Sequence, residues 1–110
     1  MAYDTDLADR VRELIAGERG VDEKPMFGGL AFLIDGNMSV CVSGHGGLMV
    51  RVPPEETERL LDLDHVEPMI MAGRQTRGWV RVSVDGLAST RQLQTWVRRG
   101  VEQAGTLPAK

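Results

Sequence analysis

Residues 24–43 read Lys24-Pro25-Met26-Phe27-Gly28-Gly29-Leu30-Ala31-Phe32-Leu33-Ile34-Asp35-Gly36-Asn37-Met38-Ser39-Val40-Cys41-Val42-Ser43. An Asp-Gly pair between two apolar runs is a strong hairpin signal, because a tight two-residue turn needs positive φ and glycine adopts it without strain. The stretch predicts a strand over Leu30–Ile34, a turn at Asp35-Gly36-Asn37, and a return strand over Met38–Ser43. Strict alternation puts Met38, Val40 and Val42 on one face and Ser39 and Cys41 on the other. Lys24 to Gly29 reads as a lead-in to the first strand.

Working outward, Gly44-His45-Gly46-Gly47 is a second turn, and Leu48–Val52 is a third strand with Leu48, Val50 and Val52 on one face. Met49 and Arg51 lie on the other. Pro53-Pro54-Glu55-Glu56 opens a short helix, since proline suits the first turn and acids suit the positive end of the dipole. That helix should end near Leu63, anchored by Leu60 and Leu61. Val66–Met71 reads as a strand, placed at an edge by Pro68. Residues 72–78 read as a loop, and Trp79–Val84 as a strand with Val80, Val82 and Val84 facing inward.

The ends are helical. Asp4 or Thr5 caps a helix to about Ala16 whose stripe is Leu7, Val11, Leu14 and Ile15. Ser89 or Thr90 caps a last helix with the stripe Leu93, Trp96, Val97, Val101 and Ala104. Gly100 inside it costs about 1 kcal/mol relative to alanine and predicts a close helix-on-sheet approach. The expected order is α-β-β-β-α-β-β-α. It describes an α+β fold of two layers, a five-stranded antiparallel sheet with helices on one face.

Composition bounds the function. The chain has 110 residues, 42% hydrophobic and 26% charged, which is one domain of ordinary globular make-up. A single cysteine excludes an internal disulfide and favours a reducing compartment. The N-terminus has no signal-peptide pattern, and no run approaches the roughly 20 apolar residues of a membrane span, so a cytoplasmic protein that does not engage a membrane is expected. The net charge of −3 argues against a strongly basic nucleic-acid binder. The charges are nonetheless segregated. Residues 53–67 carry six acids and one arginine, and residues 72–99 carry Arg74, Arg77, Arg81, Arg91, Arg98 and Arg99 with one acid.

No catalytic, cofactor or metal set assembles. Cys41 and His45 are four residues apart and His65 is distant, short of the three or four ligands of a zinc site. Cys41 in an apolar strand behaves as a small hydrophobe, and His45 has no orienting acid. Both glycine clusters lie between strands rather than before a helix, which argues against a phosphate loop. The informative surface is the outer sheet face, where alternation places Cys41, Met49, Arg51, Trp79 and Arg81. Together with Arg74 and Arg77 it has the aromatic, methionine and arginine content of interface cores.

The run Lys24-Pro25-Met26-Phe27-Gly28-Gly29, then Asp35-Gly36-Asn37-Met38, then a Leu48–Val52 strand, resembles the N-terminal domain of the TfoX/Sxy competence regulators. Met71-Ala72-Gly73-Arg74 and Gly78-Trp79-Val80-Arg81-Val82 extend the likeness over about residues 5–104. It implies a secretion-chaperone-like α/β fold, with Met26, Phe27, Gly28, Gly29, Asp35 and Gly36 as structural motif residues and no catalytic residue. Full-length members are linked to DNA uptake and transcription-related regulation and carry a second, helical domain, so the likeness implies a stand-alone N-terminal-type domain. Three functions follow as expectations. The first is a regulatory module binding a protein partner or itself as a homodimer. The second is a nucleic-acid binder using the arginines, and the third a small-ligand binder or enzyme at the glycine turns and His45.

Overall fold

The computed structural model describes residues 3–26, 28–71 and 73–109, with the backbone alone at Met71. Phe27 of the glycine motif and Ala72 of the later loop lie outside the described residues. The elements are α1 (Thr5–Ile15), β1 (Val21–Met26), β2 (Gly29–Ile34), β3 (Asn37–Val42), β4 (Leu48–Arg51), α2 (Thr57–Leu60), β5 (Val66–Met71), β6 (Arg74–Val82) and α3 (Thr90–Gly105). Single 3-10 turns precede α2 (Pro54–Glu56) and α3 (Val84–Leu87).

Among the described residues, six strands form one antiparallel sheet in the order β1-β2-β3-β4-β6-β5. The α+β class and the one-sided helices are as expected, and the strand count is not. Val21–Met26 is a sixth strand, where a lead-in was expected. Its middle residues are exposed and lack the apolar alternation that marks a half-buried strand, so pairing with β2 holds it. Pro25 in β1 and Pro68 in β5 place a proline in each edge strand, a position where its missing N–H is tolerated and further strand addition is discouraged.

The central hairpin forms as read. Asp35 (φ 50°) and Gly36 (φ 86°) are both left-handed between β2 and β3, the geometry of a tight two-residue turn. The return strand departs from simple alternation. The register shifts so that Phe32 faces Val40 while Leu33 faces Met38, and the Ser39 hydroxyl donates to the Phe32 carbonyl at 2.8 Å. This bulge turns Met38 to the face of Cys41, away from Val40 and Val42.

The core lies between the sheet and the helices. Phe32, Val40, Val50 and Val80 form a cross-strand row with no exposed surface. Leu93, Trp96, Val97 and Ala104 of α3, Leu7, Val11 and Ile15 of α1, and Leu60 of α2 cover the inner face. Each fully buried aliphatic side chain contributes about 1.5–3 kcal/mol. Asp4 caps α1 through Leu7 N, and Ser89 with Gln92 makes a capping box on α3. The helix expected to reach Leu63 ends at Leu60. The last strand stops at Val82, so Val84 is exposed rather than inward, and Leu87 from the following turn fills the core. Arg74–Gly78, expected as loop, belongs to β6.

Candidate functional site

The outer face of the sheet is organised by one register line. Lys24, Ala31, Cys41, Met49, Arg81 and Glu67 are successive partners across all six strands. At its centre Ala31, Cys41, Met49 and Met69 form a second apolar cluster, between 0% and 6% exposed. Met26, Met38 and Trp79 pack against that cluster and remain half-buried. Among the described residues, every helix contributes to the inner core and none to this cluster. Side chains of the sheet itself therefore cover the outer face.

Two arginines border the cluster. Arg51 stands opposite Trp79 in the register, with its guanidinium carbon 5.4 Å from the ring centroid, and its Nη1 donates to the Met38 carbonyl at 3.2 Å. A cation over an indole is attracted by the ring quadrupole, about 0.5–1 kcal/mol where exposed. Arg81 Nη2 donates to Ser43 Oγ at 3.3 Å and to the Gly46 carbonyl at 3.2 Å, which ties the glycine turn to β6. The result is an apolar, sulfur-rich centre with an aromatic ring and two oriented guanidinium groups at its edge. Methionine adapts its shape to what it meets, and tryptophan and arginine are the residues most enriched at binding hot spots.

Cys41 and Met49 belong to this face but lie beneath its surface rather than on it. Small and soft residues sit in the central strands, and the longer Met38 and Trp79 close over them. Burial pushes the Cys41 thiol up to about 11, so it is not a nucleophile at neutral pH. Met26, Met38 and Met69 were not among the residues expected here. Strict alternation puts Met38 on the inner face and the bulge moves it to this one, and Met26 lies in the strand that alternation does not reveal.

The other expected residues separate. Arg74 is exposed at the start of β6. Arg77 turns toward the acidic segment that spans the 3-10 turn and α2, donating to the Pro54 carbonyl at 3.1 Å with its Nε 4.0 Å from Glu58. Arg59 pairs with Glu56 in the same segment. Arg91, Arg98 and Arg99 belong to α3, on the helix side. The six arginines thus do not converge on one surface, and part of the acidic run meets Arg77.

His45 is exposed in its turn and shares a recess of about 170 Å³ with Glu67, Arg81 and Ser83, to which Cys41 does not contribute. Among the described residues, no three His, Cys, Asp or Glu side chains gather where they could hold a metal ion. Of the motif residues, Met26 and Gly29 are the terminal pair of the β1–β2 hairpin, and Gly28 (φ 75°) lies in its turn. None of the described helices is long and apolar enough to cross a membrane.

The family model described as the TfoX N-terminal domain matches residues 13–104, which includes every strand and α3 to its last turn. No curated protein matches the chain.

Proposed function

The chain belongs to the TfoX N-terminal domain family, and on that premise we propose that it is a non-catalytic regulatory or binding module of the cytoplasm. It acts through protein–protein contacts, with a different protein or a second copy of itself. The observation that supports this is the outer sheet face, an apolar methionine cluster bordered by Trp79, Arg51 and Arg81 and left uncovered by the described helices. The proline in each edge strand favours contact through the face over contact by strand addition. Transcription-linked regulation is the setting we propose for it.

Nucleic acid ranks second. Arg74 is exposed near one end of the β5–β6 hairpin, which favours it, but the remaining arginines do not converge there. Light scattering after size exclusion, followed by pull-downs with Trp79→Ala and Arg81→Ala, tests the proposal. Self-association or a protein partner that either substitution weakens supports it. A strict monomer whose partners are unchanged in both variants contradicts it, and recovery of nucleic acid with steep salt dependence moves the second reading to first.

A further inference from the structure

On the helix side, away from the outer sheet face, α3 and the segment entering β5 border a shallow, open groove of about 520 Å³. That volume falls among small-molecule sites, which run from roughly 300 to 1,000 Å³. Its walls include Leu63, His65, Arg91, Gln92, Trp96 and Arg99. Arg91, Thr95 and Arg99 follow at i, i+4 and i+8, so they stand one above another on the same side of α3.

Three independent features meet there. The Arg99 guanidinium carbon lies 5.2 Å from the Trp96 ring centroid, and its Nε is sealed from solvent with no hydrogen-bond partner. Arg99 makes no ion pair among the described residues. A sealed cationic donor without an acceptor is unfavourable and rare in folded proteins. His65 holds φ at +69°, a strained conformation for a residue with a side chain, and such strain concentrates at ligand sites. It is fixed there by the Ser83 N–H donating to its carbonyl at 2.8 Å, and by Gly86, where a Cβ would stand 2.8 Å from the His65 Cβ. Leu63 is 46% exposed at the groove, an apolar surface beside the cations. The acid on the wall is Asp64, and it makes no ion pair with either arginine.

We propose that this groove binds a small organic anion. Its carboxylate or phosphate group is received by Arg99, flanked by Arg91 and His65. Its apolar or aromatic body lies against Leu63 and Trp96. Guanidinium groups match both oxyanions with paired N–H donors. The site does not depend on the sheet-face reading, since it uses none of the same residues.

The test is a titration of ¹⁵N-labelled protein followed at the Arg99 Nε–H and the Trp96 indole N–H. Phenyl phosphate and benzoate distinguish the two head groups, benzyl alcohol is the neutral control, and a hexaglutamate peptide represents an acidic protein surface. Saturable shifts at both signals with phenyl phosphate or benzoate, and none with benzyl alcohol, are expected. Arg99→Gln should weaken the Trp96 response about tenfold to a hundredfold, the loss of one charge-assisted contact. Arg91→Gln provides a second reading should Arg99→Gln fail to fold. The proposal is overturned by no saturable shift with either anion, by a Trp96 response undiminished in the folded variants, or by a response to the glutamate peptide alone.

Discussion

Gly100 of α3 lies directly on Ser39 of β3. A Cβ on the glycine would collide with the Ser39 carbonyl oxygen and stand 2.6 Å from Val40 Cγ1. The obstacle is backbone in a central strand, which cannot move aside as a flexible side chain would.

Gly100→Ala should therefore destabilise the protein, although alanine is the better helix former by about 1 kcal/mol. Forcing α3 off the sheet is expected to outweigh that gain and leave a net loss of about 1–3 kcal/mol. Urea unfolding measures it. A variant as stable as the parent, or more so, would show that α3 does not approach β3 this closely.

Cys41 should resist iodoacetamide in the native state and react readily in urea, because it has no exposed surface. Its titration also makes stability depend on pH. The native state holds the thiol proton more tightly than the unfolded chain does, whose ordinary value is near 9.0. This contribution is fully present below that value and is lost as pH rises toward about 11. The difference in unfolding stability between the parent and Cys41→Ala should be flat near neutral pH and shrink through that alkaline window. A flat difference throughout would mean that the thiol is solvated.

Arg12 of α1 grips Glu23 of β1 through two contacts, Nε to Oε2 at 2.6 Å and Nη2 to Oε1 at 2.8 Å. The guanidinium holds the Glu23 carboxyl below its ordinary 4.5. A depressed value stabilises the fold above the unfolded-state value and loses that effect as pH falls through the folded one. Glu23→Gln should thus be mildly destabilising at neutral pH and indistinguishable from the parent in acid. High salt should also shrink the neutral-pH difference, because both groups are partly exposed to solvent. Equal stability at neutral pH and low salt would show that the pair does not help to hold the edge strand.

Features decided within a few residues were legible in the sequence. Asp35-Gly36 makes its turn with its own backbone preferences, and Ser89, one of the two expected cap residues, caps α3 over a single turn. Gly100 was readable because a glycine amid good helix formers needs a packing reason. Features set by distant partners were not. Val21–Met26 is a strand because β2 offers it an edge, and its own residues carry no alternation. Met38 changes face because Ser39 bonds to Phe32 across the hairpin. The arginines of residues 72–99 looked like one basic segment, yet β6 and α3 carry them to separate parts of the fold.

The outer sheet face was located by alternation alone, as Cys41, Met49, Arg51, Trp79 and Arg81. Its layering was not, because the depth of Cys41 and Met49 depends on Met26 and Met69 arriving from other strands and on the bulge that turns Met38 to their face. The groove beside Arg99 left no comparable trace. Trp96 belongs to an ordinary apolar stripe, and Arg91 and Arg99 beside it read only as part of a basic segment.

The two tryptophans of the chain report on opposite sides of the molecule, Trp79 on the outer sheet face and Trp96 beneath α3. The central claim is that protein contact occurs through the sheet face. The most direct test is therefore the ¹H–¹⁵N spectrum of the two indoles, recorded for the chain at rising concentration and then with the protein recovered with it by affinity capture. The account predicts that the Trp79 indole shifts or broadens on association while Trp96 holds its position, and that Trp79→Ala loses the complex. A complex that moves Trp96 and leaves Trp79 unchanged would contradict it.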